Sequence, residues 1–174
     1  MQSSKYWMIA LCALPLTACA GPATTEQEIT NIEDPFRFCA ETGSSELIPE
    51  SRTNGEFPAA LGDAMAAQGL IASDAPPQVR QANQWRCMDG QVWVCPLGAN
   101  LPCGEKADLS RDPAPALTSY CEDNPGSDIP AYVTGRATVY SWGCAGSAPE
   151  IQRQLFTPDA AGYLSEFWKQ VSPP

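Results

Sequence analysis

The 174-residue chain contains no histidine. This excludes Ser-His-Asp and Cys-His catalysis, imidazole ligation of haem and the common proton shuttle of neutral pH. There is no C-x-x-C pair either, so the usual ligand spacing of a structural zinc site is missing. No glycine-rich stretch ends in Gly-Lys-Ser or Gly-Lys-Thr, which rules out a P-loop. Neither a metal nor a cofactor is expected. Long apolar runs are lacking: Tyr6 to Leu16 falls short of the ~20 residues that a membrane-spanning helix needs. Basic residues are scarce, 10 Lys and Arg against 20 Asp and Glu, for a net charge of −10. That balance favours solubility and argues against nucleic acid as a partner. A basic partner is permitted by it, not implied. The acids are spread along the chain, and no spacing singles out a pair for glycosidase-like work.

What is present is cysteine, and the densest stretch is Trp85 to Cys103. Asp89-Gly90 sits there between two apolar runs and suits the positive φ angles of a type I′ turn. A two-residue turn sets Met88 against Gln91, Cys87 against Val92, Arg86 against Trp93, Trp85 against Val94 and Gln84 against Cys95. Alternation then puts Trp85, Cys87, Val92 and Val94 on the core face and Arg86, Trp93 and Cys95 on the other. Cys87 and Cys95 point to opposite faces and cannot bridge each other. Cys95 is placed to reach Cys103 across the loop.

The N-terminus reads as an export signal. Lys5 is followed by the apolar run, which ends in Leu16-Thr17-Ala18-Cys19. This motif resembles the lipobox of bacterial lipoprotein precursors. The resemblance implies cleavage after Ala18, lipidation of Cys19 and anchoring by acyl chains, each worth roughly 0.8 kcal/mol per buried CH₂. Ala20 in place of Asp implies the outer membrane, facing the periplasm. An ordinary signal cleaved near Ala20 is the alternative. The expected organisation is a signal peptide over 1–18, a lipidated flexible tether over 19–35 and a single domain over 36–174.

In an oxidising compartment the remaining cysteines read as three disulfides. Cys95–Cys103 follows from the hairpin register. Cys121 shares a helical face with Leu117 and Tyr120, and Cys144 a strand face with Tyr140 and Trp142. A helix packed on that strand would join Cys121 to Cys144. Cys39–Cys87 follows by elimination, with Phe36-Arg37-Phe38 as a strand beside the first hairpin.

Along the chain, Pro58 to Gln68 reads as a helix with Leu61, Ala64 and Met65 on its apolar face and Gly69 as its stop. A second helix is predicted from the Asp112 N-cap and Pro113 to Asn124. Ile129 to Thr134 and Thr138 to Cys144 read as strands, and Glu150 to Phe156 runs back after a turn at Ala145-Gly146-Ser147. Residues 163–171 fit a helix or a strand, with the preceding turn favouring the strand. The expected fold is thus α+β: a small disulfide-stapled domain of antiparallel hairpins with two short helices. The recurrence of Trp-x-Cys before a glycine turn, at Trp85 and Trp142, is compatible with an αββ duplication that pairs the helix starting at Pro58 with the one starting at Pro113.

The hairpin WRCMDGQVWVC, with GANLPCGEKAD and AYVTGRATVYSWGC, resembles a set of uncharacterised exported bacterial proteins over residues 36–168. The acidic lipoprotein character and the aromatic-x-Cys-x-Asp-Gly hairpin are similar to membrane-bound inhibitors of c-type lysozyme. That likeness implies a basic enzyme as partner but transfers no site. The candidate binding surface is the pinned loop with its hairpin neighbours: Arg86, Trp93, Asn100, Glu105 and Lys106. Pinning lowers the entropy cost of binding, and Arg and Trp are frequent interface anchors; the loop also reads simply as a structural clip. The leading expectation is a lipid-anchored, non-enzymatic envelope module that binds another macromolecule or supports the envelope. A lysozyme-inhibitor-like lipoprotein and a carboxylate-dependent envelope hydrolase are the alternatives.

Overall fold

A computed structural model describes residues 31–81, 83–96 and 101–174. Cys19, the signal, most of the tether and Asn100 lie outside the described residues. The first helix, α1 (Pro35–Thr42), stands where a strand is expected. Asp34 caps it, accepting bonds from the backbone N–H of Phe36 at 3.0 Å and Arg37 at 3.1 Å. Pro35 occupies the first turn, where a missing N–H costs nothing. Within the stretch read as tether, Ile32 is buried and its N–H bonds Arg52 O at 2.7 Å.

A 3-10 turn (Glu50–Arg52) leads into α2 (Ala59–Ala67), which buries Leu61, Ala64 and Met65. Gly69, at φ +70°, closes this helix while Leu70 N–H reaches back to Met65 O, the Schellman arrangement. A short α3 (Pro77–Gln81) precedes strands β1 (Asn83–Met88) and β2 (Gln91–Pro96). Their register is the one set by the two-residue turn, Met88↔Gln91 through Gln84↔Cys95. Asp89 and Gly90 both have positive φ, as a type I′ turn requires.

The second half opens with α4 (Pro115–Asp123). It begins two residues later than predicted because Ala114 precedes Pro115 and is held extended, at ψ 152°. The predicted strand at Ile129–Thr134 is replaced by a single extended contact and a helical turn. Ile129 N–H bonds Trp142 O at 2.9 Å, then Pro130 begins α5 (Ala131–Thr134). Proline has no N–H for a ladder, while its carbonyl accepts from Val133 and Thr134. Strands β3 (Tyr140–Ala145) and β4 (Ala148–Gln154) form a separate hairpin with an irregularity at Ser141/Trp142. The final segment is a 3-10 turn (Ser165–Phe167) followed by β5 (Lys169–Val171), antiparallel to β2.

The fold is therefore α+β, with α1, α3 and α5 beyond the two helices expected. Three disulfides staple it: Cys39–Cys87, Cys95–Cys103 and Cys121–Cys144. Leu61, Met65, Trp85, Val92 and Val94 form one apolar cluster; Leu117, Val139, Tyr140, Trp142 and Leu164 form another. Each such side chain contributes roughly 1.5–3 kcal/mol on full burial.

The two halves match, but not in the predicted way. Helix α1 corresponds to α4, and α2 with α3 has no counterpart. In each half an aromatic-Cys pair on a helix, Phe38-Cys39 or Tyr120-Cys121, is bridged to the Trp-x-Cys strand. A positive-φ glycine follows, Gly43 or Gly126. An Ile-Pro pair then lies against the tryptophan: Ile48 N–H bonds Trp85 O at 3.0 Å, as Ile129 N–H bonds Trp142 O. From Thr134 the chain passes through 135–139 into β3. From Thr53 it detours through 54–82, carrying α2 and α3, before β1.

Candidate binding cleft

Among the described residues, the sequence-predicted surface does not assemble as an exposed patch. Arg86 is buried at 1% exposure. Its guanidinium is ion-paired with Asp159, itself 8% exposed, and lies over the rings of Tyr163 and Trp168 with centroid distances of 4.8 and 4.4 Å. The physical reason is the C-terminal segment, which crosses the outer hairpin face and turns Arg86 into a core residue. Asp159 Oδ1 also accepts the N–H groups of Ala161 and Tyr163, so the same carboxylate shapes the crossing turn. Trp93 is half-buried opposite Gln170, packed against the cluster of Cys95, Cys103, Tyr163 and Trp168.

Lys106 stays exposed but is engaged. Its Nζ is 2.5 Å from Glu46 Oε2, 2.6 Å from Ala161 O and 3.8 Å from the Tyr163 ring centroid. Tyr163 donates its hydroxyl to the same Glu46 oxygen at 2.8 Å. The Lys106 and Tyr163 hydrogen bonds hold the Glu46 carboxyl below its usual range. Desolvation works against the Lys106 ammonium, yet the bonds to Glu46 and Tyr163 raise it overall. Burial, then the Glu46 hydrogen bond, pushes the Tyr163 phenol up. This group ties the loop at 46, the 101–107 segment and the C-terminal crossing together.

Glu105 belongs to a different place. It pairs with Arg136 at 3.2 Å, both about half exposed, beside an open cleft of about 740 Å³. The floor of the cleft is β3, where Tyr140 and Trp142 turn inward and Ser141 outward. One wall is α5, and the other comes from Leu155 and Phe156 after β4, with Phe167 beyond them. The Phe156 and Phe167 rings lie 5.3 Å apart. Tyr132 stands on α5 with 83% of its surface exposed, and Leu155 is 44% exposed. Helix α5 buries none of its residues. Exposed aromatic and aliphatic side chains at the rim of one concave cleft make this the candidate binding surface.

Sequence reasoning missed this cleft because residues 129–134 read as a strand, which alternates Tyr132 with its neighbours instead of lifting it to a rim. Pro130 was the signal. Among the described residues no group of three or more His, Cys, Asp or Glu is placed to hold a metal ion, and no helix is long and apolar enough to cross a membrane. Comparison with known protein families, with curated proteins and with solved structures finds no match.

Proposed function

We propose that this chain is a lipid-anchored module of the cell envelope that works by binding rather than by turnover, and that the cleft beside α5 is its working surface. The cleft is the observation that carries this reading: Tyr132 and Leu155 border about 740 Å³ of concave surface, within the range typical of ligand sites. Three disulfides support an oxidising address. The Leu16-Thr17-Ala18-Cys19 motif supports the anchor, and the lack of histidine weighs against acid–base turnover near neutral pH. The partner is an envelope macromolecule, with the chain held on the outer membrane and facing the periplasm.

Metabolic labelling with a palmitate analogue tests the anchor. Wild type carries the label in the membrane fraction, and Cys19→Ala loses both. Label or membrane association unchanged in Cys19→Ala removes the anchor from the proposal. Crosslinking pull-down from intact envelopes tests the cleft by comparing wild type with Tyr132→Ala. Equal recovery of the same partner from both removes the cleft.

A further inference from the structure

A second cavity, about 290 Å³, lies between residues 31–34, α1 and Arg52 of the 3-10 turn. It shares no lining residue with the cleft beside α5. The backbone of Arg52 is fixed on both sides: its N–H bonds Pro49 O at 2.9 Å, and its carbonyl accepts from Ile32 at 2.7 Å. Its guanidinium lies 5.7 Å from the Phe38 ring centroid, and Phe38 in turn packs edge-on to Trp85 at 6.2 Å. The charge at the end of this stack is unanswered. Among the described residues Arg52 forms no ion pair, and its Nε, shut from solvent, has no hydrogen-bond partner. A buried donor without an acceptor costs free energy that an arriving acceptor returns. The neighbouring groups are already engaged. Arg37 Nε pairs with Glu41 at 3.0 Å, and Asp34 takes the first N–H groups of α1. That leaves Arg52 as the open cation and Glu33 as the lining carboxylate with no bond among the described residues.

We propose that this cavity binds a small zwitterion of the amino-acid class, its carboxylate on the Arg52 guanidinium and its ammonium toward Glu33. Charge decides the class. The walls carry Glu33, Asp34 and Glu41 against Arg37 and Arg52, one negative charge in excess, so a simple anion meets repulsion. A simple cation leaves Arg52 without its acceptor. A molecule carrying both charges answers both groups, and the planar guanidinium fork suits a carboxylate. Size agrees, for the cavity stands at the small end of ligand sites, ~300–1,000 Å³. Ile32 and Phe38 supply apolar wall for a short side chain. The site stands or falls apart from the cleft beside α5.

The test is nuclear magnetic resonance shift mapping on the full chain in detergent micelles. The probes are L-alanine, D-alanine, L-leucine and L-lysine, each titrated to about 10 mM, where even a site with a Kd of ~1 mM fills. The expected result is saturable shifts centred on Glu33, Phe38 and Arg52 with at least one of them. For that amino acid, the deaminated acid and the decarboxylated amine should each bind about tenfold more weakly, since each loses one charged contact. Arg52→Met should weaken binding about tenfold or more. Glu33→Gln, at an exposed position that keeps the fold, should weaken it about threefold. A second readout separates ligand binding from a structural role. The Arg52 guanidinium gives up no hydrogen bond on replacement, so Arg52→Met without ligand should unfold at an unchanged or higher denaturant midpoint. A lowered midpoint makes Arg52 a structural prop and overturns the site. Shifts absent from these residues with all four probes overturn it too, as does equal binding by Arg52→Met. The deaminated acid binding as tightly as the amino acid makes this a plain anion site, and the amine doing so makes it a cation site; either overturns the zwitterion.

Discussion

The Arg86 guanidinium lies 4.4 Å from the centroid of the Trp168 ring and has 1% of its surface exposed. A hairpin residue and a residue from the last strand region thereby close the first sheet, with Asp159 supplying the counter-charge. Arg86→Ala would leave the Asp159 carboxylate buried without its partner. The expected loss is about 3–5 kcal/mol, read by denaturant unfolding. Arg86→Met combined with Asp159→Leu should recover part of it by removing both charges. The recovery is incomplete, because Asp159 also accepts two backbone N–H groups.

Stability should depend on pH through Glu46, Lys106 and Tyr163. A carboxylate held below its usual range contributes stability above its unfolded pKa, and the contribution disappears as pH falls through the folded value. Groups with raised values contribute fully below their unfolded pKa and lose that contribution as pH rises through the folded one. Glu46 therefore gives a limb on the acid side of the usual glutamate range, and Lys106 and Tyr163 give one in strong alkali. Thermal unfolding across pH should show a plateau between the two limbs. Glu46→Gln should shrink both. Unchanged limbs would mean that this group does not hold the crossing segment.

The disulfides should rank by the loop each closes. Sequence separations are 48 for Cys39–Cys87, 23 for Cys121–Cys144 and 8 for Cys95–Cys103. Chain entropy gives about 4, about 3.4 and about 2.5 kcal/mol respectively. Paired Cys→Ala variants compared by denaturant midpoint should follow this order. Non-reducing peptide mapping checks the connectivity.

Gly90 has φ +76° in the two-residue turn. Gly90→Ala should cost about 1–2 kcal/mol, the penalty for a Cβ in the left-handed region. Gly143 is different: its φ is ordinary, but an added Cβ would collide with Gln152 Nε2. Gln152 would have to release Asp128 and Ser141, which it contacts at 2.9 and 3.2 Å. Because that side chain is flexible and exposed, the expected cost is smaller, about 1 kcal/mol. Melting temperatures of the two variants would show the difference.

The first hairpin was legible in the sequence because Asp89-Gly90 fixes a turn type, the turn fixes a register, and the register separates Cys87 from Cys95. The second helix was legible in its face and only approximately in its start, since two nearby prolines compete and the later one wins. Helix α1 was missed although Asp34-Pro35 carries the same N-cap and proline signal as Asp112-Pro113. Assigning Asp34 to the tether hid it. The internal match was seen at Trp85 and Trp142 but extended to the wrong helices, because the detour through 54–82 breaks any fixed spacing between the halves. Burial of Arg86 was not legible at all: it depends on Asp159, Tyr163 and Trp168 crossing from the far end of the chain. The cleft depends in turn on Pro130 converting a β-favouring stretch, Ala131-Tyr132-Val133-Thr134, into a helical turn.

Position-specific photo-crosslinking in living cells tests the cleft most directly. A photoreactive residue replaces Tyr132 in one variant and Val79 in another; Val79 is 47% exposed, lies on α3 and is not among the cleft-lining residues. Crosslinking from position 132 to a discrete envelope partner, lost when Leu155→Asp is added and absent from position 79, is the predicted result. Equal crosslinking from both positions, or none from 132 in cells that hold the protein at its normal level, would contradict the cleft as the binding surface.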